Sequence, residues 1–148
     1  MKALVIGLGS IGIRHLNNLN ALDVKKISAL RKRNLSMPEN IPNTVSIFTD
    51  YNEALKDKPD IAVIANPTSM HLDYAKKAIE ADCDVYLEKP VSNNLIGVDQ
   101  LLELQARKKS VVQVGCQLRR NPQLIKIKEW INSGRLGAVH TVVADVGE

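Results

Sequence analysis

Four apolar residues, Ala3-Leu4-Val5-Ile6, run straight into Gly7-Leu8-Gly9-Ser10-Ile11-Gly12 at the start of the chain. Glycines at that spacing, after a short apolar run and before a helical one, call for a strand, a tight turn and a helix. The first glycine permits the turn, and the second lets another molecule approach the backbone. The third lets the helix lie close against the strand. The free N–H groups and dipole of that helix then face the turn, which is where a pyrophosphate binds.

The rest of the chain repeats the pattern. Short β-branched runs at Ala3–Ile6, Lys26–Leu30, Val45–Phe48, Ile61–Ala65, Asp84–Leu87, Val111–Gly115 and Val139–Asp145 alternate with segments of helical period. The runs are mostly continuous, as strands covered on both faces must be. Ser10–Leu22 places Ile11, His15, Leu19 and Leu22 on one stripe, and Asp50–Lys56 is a short helix ending before Pro59. Ser69–Ala81 can be capped by Thr68 or Ser69. Asn94–Lys109 carries Leu95, Val98, Leu101, Leu102 and Gln105, and Pro122–Ser133 opens on proline and closes at Gly134. The alternation predicts an α/β fold, a doubly wound parallel sheet of order 3-2-1-4-5-6 with Gly7–Gly12 at its switch point. Arg31 to Thr44, with its prolines and asparagines, reads as a loop near the adenosine end of a bound dinucleotide.

At 148 residues the chain has room for one such domain and little more. One tryptophan, three tyrosines and one phenylalanine leave the core to Val, Ile, Leu and Ala. Cys83 and Cys116 form neither a CxxC pair nor a disulfide framework, and the three histidines are scattered, so no metal is expected. The excess of Lys+Arg over Asp+Glu, 20 against 16, is dispersed along the chain, with neither a polybasic tail nor interleaved aromatics. Nucleic acid is therefore not expected as a partner. No apolar run is long enough for a signal peptide or membrane span, and a cytoplasmic protein is expected.

The tip of the second strand carries the choice between NAD and NADP. An acid ~20 residues after the glycine loop takes the ribose 2′-hydroxyl in NAD-binding domains. Here Ile27-Ser28-Ala29-Leu30 runs into Arg31-Lys32-Arg33, and Asp23 falls too early, in the preceding turn. Guanidiniums at Arg31 and Arg33 suit a 2′-phosphate, which predicts NADP as the preferred cofactor, with NAD the alternative.

Three further motifs follow the fourth, fifth and sixth strands: Asn66-Pro67-Thr68-Ser69-Met70-His71, Glu88-Lys89-Pro90, and Gly115-Cys116-Gln117-Leu118-Arg119-Arg120-Asn121-Pro122. In this order after the glycine loop, they resemble the Gfo/Idh/MocA oxidoreductase family, and Glu-Lys-Pro is the most specific element. The resemblance spans the whole chain. It implies a Rossmann domain over residues 1–120, a crossover helix over 121–138, and over 139–148 the first strand of a C-terminal substrate domain otherwise absent from this chain. It also implies that Gly7, Gly9, Ser10, Ile11 and Gly12 hold the dinucleotide phosphates. Asn66, Pro67 and His71 would line the nicotinamide side with Glu88, and Lys89 would be catalytic, touching both cofactor and reacting hydroxyl. Gln117 would also contact the cofactor, although it stands where many members have asparagine, and the acid usual in NAD-using members is missing.

On that resemblance the chain is the N-terminal half of an NAD(P)-dependent dehydrogenase or reductase. Hydride would pass between nicotinamide C4 and a hydroxyl-bearing carbon of a sugar, cyclitol or sugar derivative, with Lys89 moving the hydroxyl proton. The expected partners are that small molecule and further copies of the chain. By itself the chain is expected to be inactive. The alternative is a non-catalytic NADP(H)-binding module or sensor, which has no need of a proton-active lysine. A methyltransferase is a poorer fit, because Glu-Lys-Pro has no role there. His15 and Arg14, just past the glycine loop, stand where either could face phosphate, but they read first as a solvated helix face.

Overall fold

In the computed structural model, which describes residues 1–32 and 41–145, six strands make one sheet. They are β1 (Lys2–Ile6), β2 (Lys26–Leu30), β3 (Ser46–Phe48), β4 (Ile61–Ile64), β5 (Asp84–Leu87) and β6 (Val112–Val114). All pairings are parallel and the order is β3-β2-β1-β4-β5-β6, as the alternation predicts. Helices α1 (Ser10–Ala21), α2 (Tyr51–Lys56), α3 (His71–Glu80) and α4 (Val98–Lys108) provide connections between strands. The central strands β1, β2 and β4 are buried along most of their length, whereas β3 and β6 at the edges are largely open.

Side chains of a strand alternate between faces, so each central strand feeds two cores. Leu4, Ile6, Ala62, Ile64 and Leu87 pack against Leu72, Ala75 and Ile79 of α3 and Leu101 of α4. Val5, Ile27, Ala29 and Val63 pack against Leu16 of α1. The scarce aromatics are concentrated in the first of these. Tyr51 stacks on Tyr74 with ring centroids 4.6 Å apart, and its hydroxyl donates to the Tyr74 carbonyl at 2.7 Å.

Two helices depart from the expected pattern. In α1 the buried residues are Gly12 and Leu16, while Ile11 and Leu22 are exposed. The cause is Gly12, whose Cα lies against the Gly7 carbonyl and so fixes the rotation of the helix, turning Ile11 outward. The expected Asn94–Lys109 helix begins only at Val98. Gly97 adopts φ +86°, and Asn94 Oδ1 accepts from the Ile96 N–H at 2.9 Å, so residues before Gly97 form turns instead. Leu95 and Ile96 are consequently exposed, and Leu104 joins Leu101 in the core. Neither Thr68 nor Ser69 caps α3, because Thr68–Met70 forms a 3-10 turn that runs into it.

Residues 1–115 form one compact unit and residues 116–148 another. The second contains a 3-10 turn, Gln117–Arg120, and helix α5 (Pro122–Asn132). Pro122 starts α5, and Asn121 Oδ1 accepts from the N–H groups of Gln123 and Leu124. Gly134 and Gly137, both at positive φ, follow it. The strand expected over Val139–Asp145 does not form. A strand's backbone donors need a neighbouring strand, and none pairs with this stretch among the described residues. No described helix is long and apolar enough to cross a membrane.

The core makes stability pH-dependent on the alkaline side. Burial pushes the Cys83 thiol up from 9.0 to about 11, helped by Asp82, Asp60 and Asp84, and burial pushes the Tyr51 phenol up as well. Both groups keep their protons in the fold at a pH where the unfolded chain loses them. Stability is therefore full below 9.0 and falls as pH rises toward about 11. Urea midpoints measured across that window should fall, and Cys83→Ser should make the fall shallower. A slope identical in both proteins would contradict this assignment.

Candidate functional site

Backbone pairing continues one residue past the carboxyl end of every strand but β3. The N–H groups of Arg31, Gly7, Ala65, Glu88 and Gly115 donate to Phe48, Leu30, Ile6, Ile64 and Leu87 carbonyls at 2.8–3.0 Å. These residues therefore stand in one row along the sheet edge, in the order β2, β1, β4, β5, β6. Because Ile64 pairs with Leu87, Asn66 and Lys89 leave the sheet side by side, each two residues beyond. The order of strands reverses between β1 and β4, and ligands bind at such a switch point in open α/β sheets.

The glycine loop is shaped by close approach. Gly7 has φ +94°, and a Cβ there would lie 2.8 Å from the Ala65 carbonyl oxygen. A Cβ on Gly12 would collide with the Gly7 carbonyl. Gly9 differs: it caps α1 with no side-chain hydrogen bond, and a Cβ on it would meet nothing within 4 Å. Among the described residues, no side chain of the N-cap competes for the first N–H groups of α1. Ser10 and Ile11 beside them are exposed.

A cleft of about 470 Å³ opens there. Gly7 and Gly9 form its start, and Ala65, Asn66, Pro67 and Met70 form one wall. Leu30, Arg31 and Lys32, at the end of β2, and Tyr74 also line it. Lys32 Nζ lies 5.8 Å from the centre of the Tyr74 ring, placing a cation and an aromatic face together there. Both polar atoms of the Asn66 amide are buried without a hydrogen-bond partner among the described residues. Buried polar atoms are rarely left so, and an amide in this position suits a ligand that donates and accepts. The uncapped helix, the room over Gly9 and the orphaned amide all fit a dinucleotide.

Beside the cleft, Glu88-Lys89-Pro90 is held at two points. His15 Nε2 donates to Glu88 Oε1 at 2.7 Å, and its ring meets Tyr86 edge-on with centroids 5.0 Å apart. Gly115 closes over this pair; a Cβ there would meet the Tyr86 hydroxyl at 2.9 Å and Glu88 Oε1 at 3.1 Å. His71, 1% exposed, has Nδ1 2.9 Å from the Pro90 carbonyl and Nε2 2.9 Å from the Asn66 carbonyl. Carbonyls only accept, so the imidazolium satisfies both contacts at once and either neutral tautomer satisfies one. The Lys89–Pro90 peptide is cis, and Lys89 is exposed.

The structure thus brings Gly7, Gly9, Ser10, Ile11, Gly12, Arg31, Asn66, Pro67, His71, Glu88 and Lys89 to one edge of the sheet. Arg33 lies outside the described residues. Gln117 is an exposed residue of the second compact unit. His71 packs between two loops with its ring nitrogens both occupied, and the solvated face expected for His15 is replaced by its bond to Glu88. Lys32, Met70 and Tyr74 in the cleft are additional to the sequence reading. Lys32 stands within the basic triplet and Tyr74 one turn past His71, signals too common to single out either.

The sequence signature described as "Oxidoreductase family, NAD-binding Rossmann fold" matches residues 1–116. An uncharacterised oxidoreductase of Bacillus subtilis, YrbE, is 32% identical over 141 residues, covering 92% of this chain and 41% of that protein. Myo-inositol 2-dehydrogenase of Thermotoga maritima is 28% identical over 146 residues, covering 96% and 44%. Among solved structures, scyllo-inositol dehydrogenase of Lactobacillus casei with bound NAD(H) and scyllo-inositol superposes with a TM-score of 0.80 at 21% identity. That likeness covers 93% of this chain and 42% of the other, and it concerns the fold. The chain accordingly spans about two fifths of the length of these proteins. With the glycine loop at the switch point and Glu88-Lys89-Pro90 beside it, the chain belongs to the Gfo/Idh/MocA family of oxidoreductases, as its NAD-binding Rossmann domain.

Proposed function

We propose that this chain binds NADP in preference to NAD and forms the cofactor half of an oxidoreductase acting on a sugar, cyclitol or sugar derivative. The observation that carries this reading is the single sheet edge joining an uncapped helix N-terminus, a buried unpartnered amide at Asn66 and the exposed amine of Lys89. The α1 N–H groups hold the pyrophosphate, with Gly9 giving it access. Asn66 orients the nicotinamide end by hydrogen bonds, and Lys89 holds or accepts the proton of the reacting hydroxyl. When bound, the nicotinamide supplies hydride transfer. The substrate class follows from the inositol dehydrogenases among the relatives. Residues 1–120 act as the cofactor domain, 121–138 as the crossover, and 139–148 as the approach to a substrate domain.

The NADP preference rests on Arg31 and Lys32 lining the cleft at the end of β2, with no carboxylate following β2 where a ribose 2′-hydroxyl would need one. Titrating NADPH and NADH into the wild type and an Arg31→Ala/Arg33→Ala variant tests it. The variant should lose on the order of 1.5–3 kcal/mol of NADPH binding, the worth of a charge-assisted hydrogen bond, and little NADH binding. An unchanged preference would show that the basic triplet has no part in the choice.

A further inference from the structure

Lys89 stands between two residues that are each held by a histidine from a different helix. Before it, Glu88 Oε1 accepts from His15 Nε2 at 2.7 Å. After it, the Pro90 carbonyl lies 2.9 Å from His71 Nδ1. The His15 side chain is 17% exposed and that of His71 is wholly enclosed, so water competes weakly for either contact. Lys89 itself makes no side-chain hydrogen bond or ion pair with the described residues, its backbone N–H reaching Glu88 Oε2 at 3.3 Å. The backbone on either side of it is therefore what sets where its side chain leaves the chain.

Both histidines stand on helices that adjoin the cleft, though neither is among the residues that line it. His15 lies in the second turn of α1, the helix that begins at the glycine loop. His71 is the first residue of α3 and reaches back to the carbonyl of Asn66, whose amide lacks a partner. Each of these two helices thus carries an imidazole fastened to the Glu88–Pro90 segment.

We propose that His15 and His71 are positioning residues that clamp the backbone on both sides of Lys89 and tie it to helices α1 and α3. The proposal rests on the dinucleotide reading above. On this geometry, a ligand whose nicotinamide reaches Lys89 depends on both histidines, and one that lacks the nicotinamide does not.

The test uses the 148-residue chain and two ligands: NADH, and ADP-ribose, which lacks the nicotinamide. His15→Leu and His71→Leu should each weaken NADH about tenfold, the range of one lost hydrogen bond, while ADP-ribose changes less than about twofold. His15→Gln keeps a donor for Glu88 and should restore NADH binding. His71→Gln, made beside the leucine variant, keeps an amide in the buried position and gives a smaller loss, so the reading does not hang on one variant folding. In a Lys89→Met background, His15→Leu should cause no further NADH-specific loss, because the clamp then has nothing to place. Equal weakening of both ligands, additive losses with Lys89→Met, or unchanged NADH binding would overturn the clamp. A wild type that binds neither ligand would instead overturn the dinucleotide reading itself.

Discussion

Gly9→Val should abolish dinucleotide binding and leave the fold intact, while Gly12→Ala, a smaller change three residues on, should damage the fold itself. The difference lies in what each new atom meets. At Gly9, with φ −77°, any residue is allowed and a Cβ finds nothing within 4 Å, so stability should move by no more than about 1 kcal/mol. The space that the valine branches fill is the space a pyrophosphate needs to reach the α1 N–H groups. Affinity should fall on the order of a hundredfold or more. At Gly12 a Cβ lands on the backbone carbonyl of Gly7, which cannot rotate away as a side chain can. Helix and loop must separate, at a cost of roughly 3 kcal/mol or more, and binding fails because the cradle is displaced. Melting curves and NADPH titrations on the two variants decide it. If Gly9→Val kept its affinity, or both variants lost stability alike, the loop would not be the phosphate site.

The same pair of glycines marks how far the sequence was legible. Strand order and switch point follow from alternation and the glycine spacing, because both are local patterns that a parallel sheet can satisfy in few ways. Which stripe of α1 turns inward does not follow from hydrophobic period. Ile11 and Leu22 are more apolar than Gly12, yet contact with the Gly7 carbonyl outranks them. His15 was misread for the related reason that its partner, Glu88, is 73 residues away and enters only once β5 is placed beyond β4. The orphaned amide of Asn66 is likewise a property of packing, since no local pattern says whether an asparagine finds a partner. The late start of α4 was missed because the Asn94 side chain, by accepting from Ile96, offers the backbone an alternative to the helix.

Cofactor binding and turnover should separate in this chain. On the proposed function, binding draws on the glycine loop, Arg31, Lys32 and Asn66, all of which lie within residues 1–115. The catalysis proposed above needs in addition a substrate hydroxyl held between Lys89 and the nicotinamide. Lys89 alone offers that hydroxyl one exposed amine. Proton transfer by one such group contributes typically 10²–10⁴-fold. Holding the reactants in an attacking geometry is worth ~7–11 kcal/mol, several further powers of ten. Converging contacts of that kind come from several sides of a substrate, and the chain covers only 41% and 44% of the relatives compared. The 148-residue chain should therefore bind NADPH by titration and yet oxidise inositols and sugars no faster than a protein-free control. Single-turnover absorbance at saturating NADP+ with a polyol panel, run beside Lys89→Met, is the measurement. Turnover above the control that Lys89→Met removes would place the whole catalytic apparatus within these residues. The division of labour proposed here would then be wrong, while the cofactor site would stand.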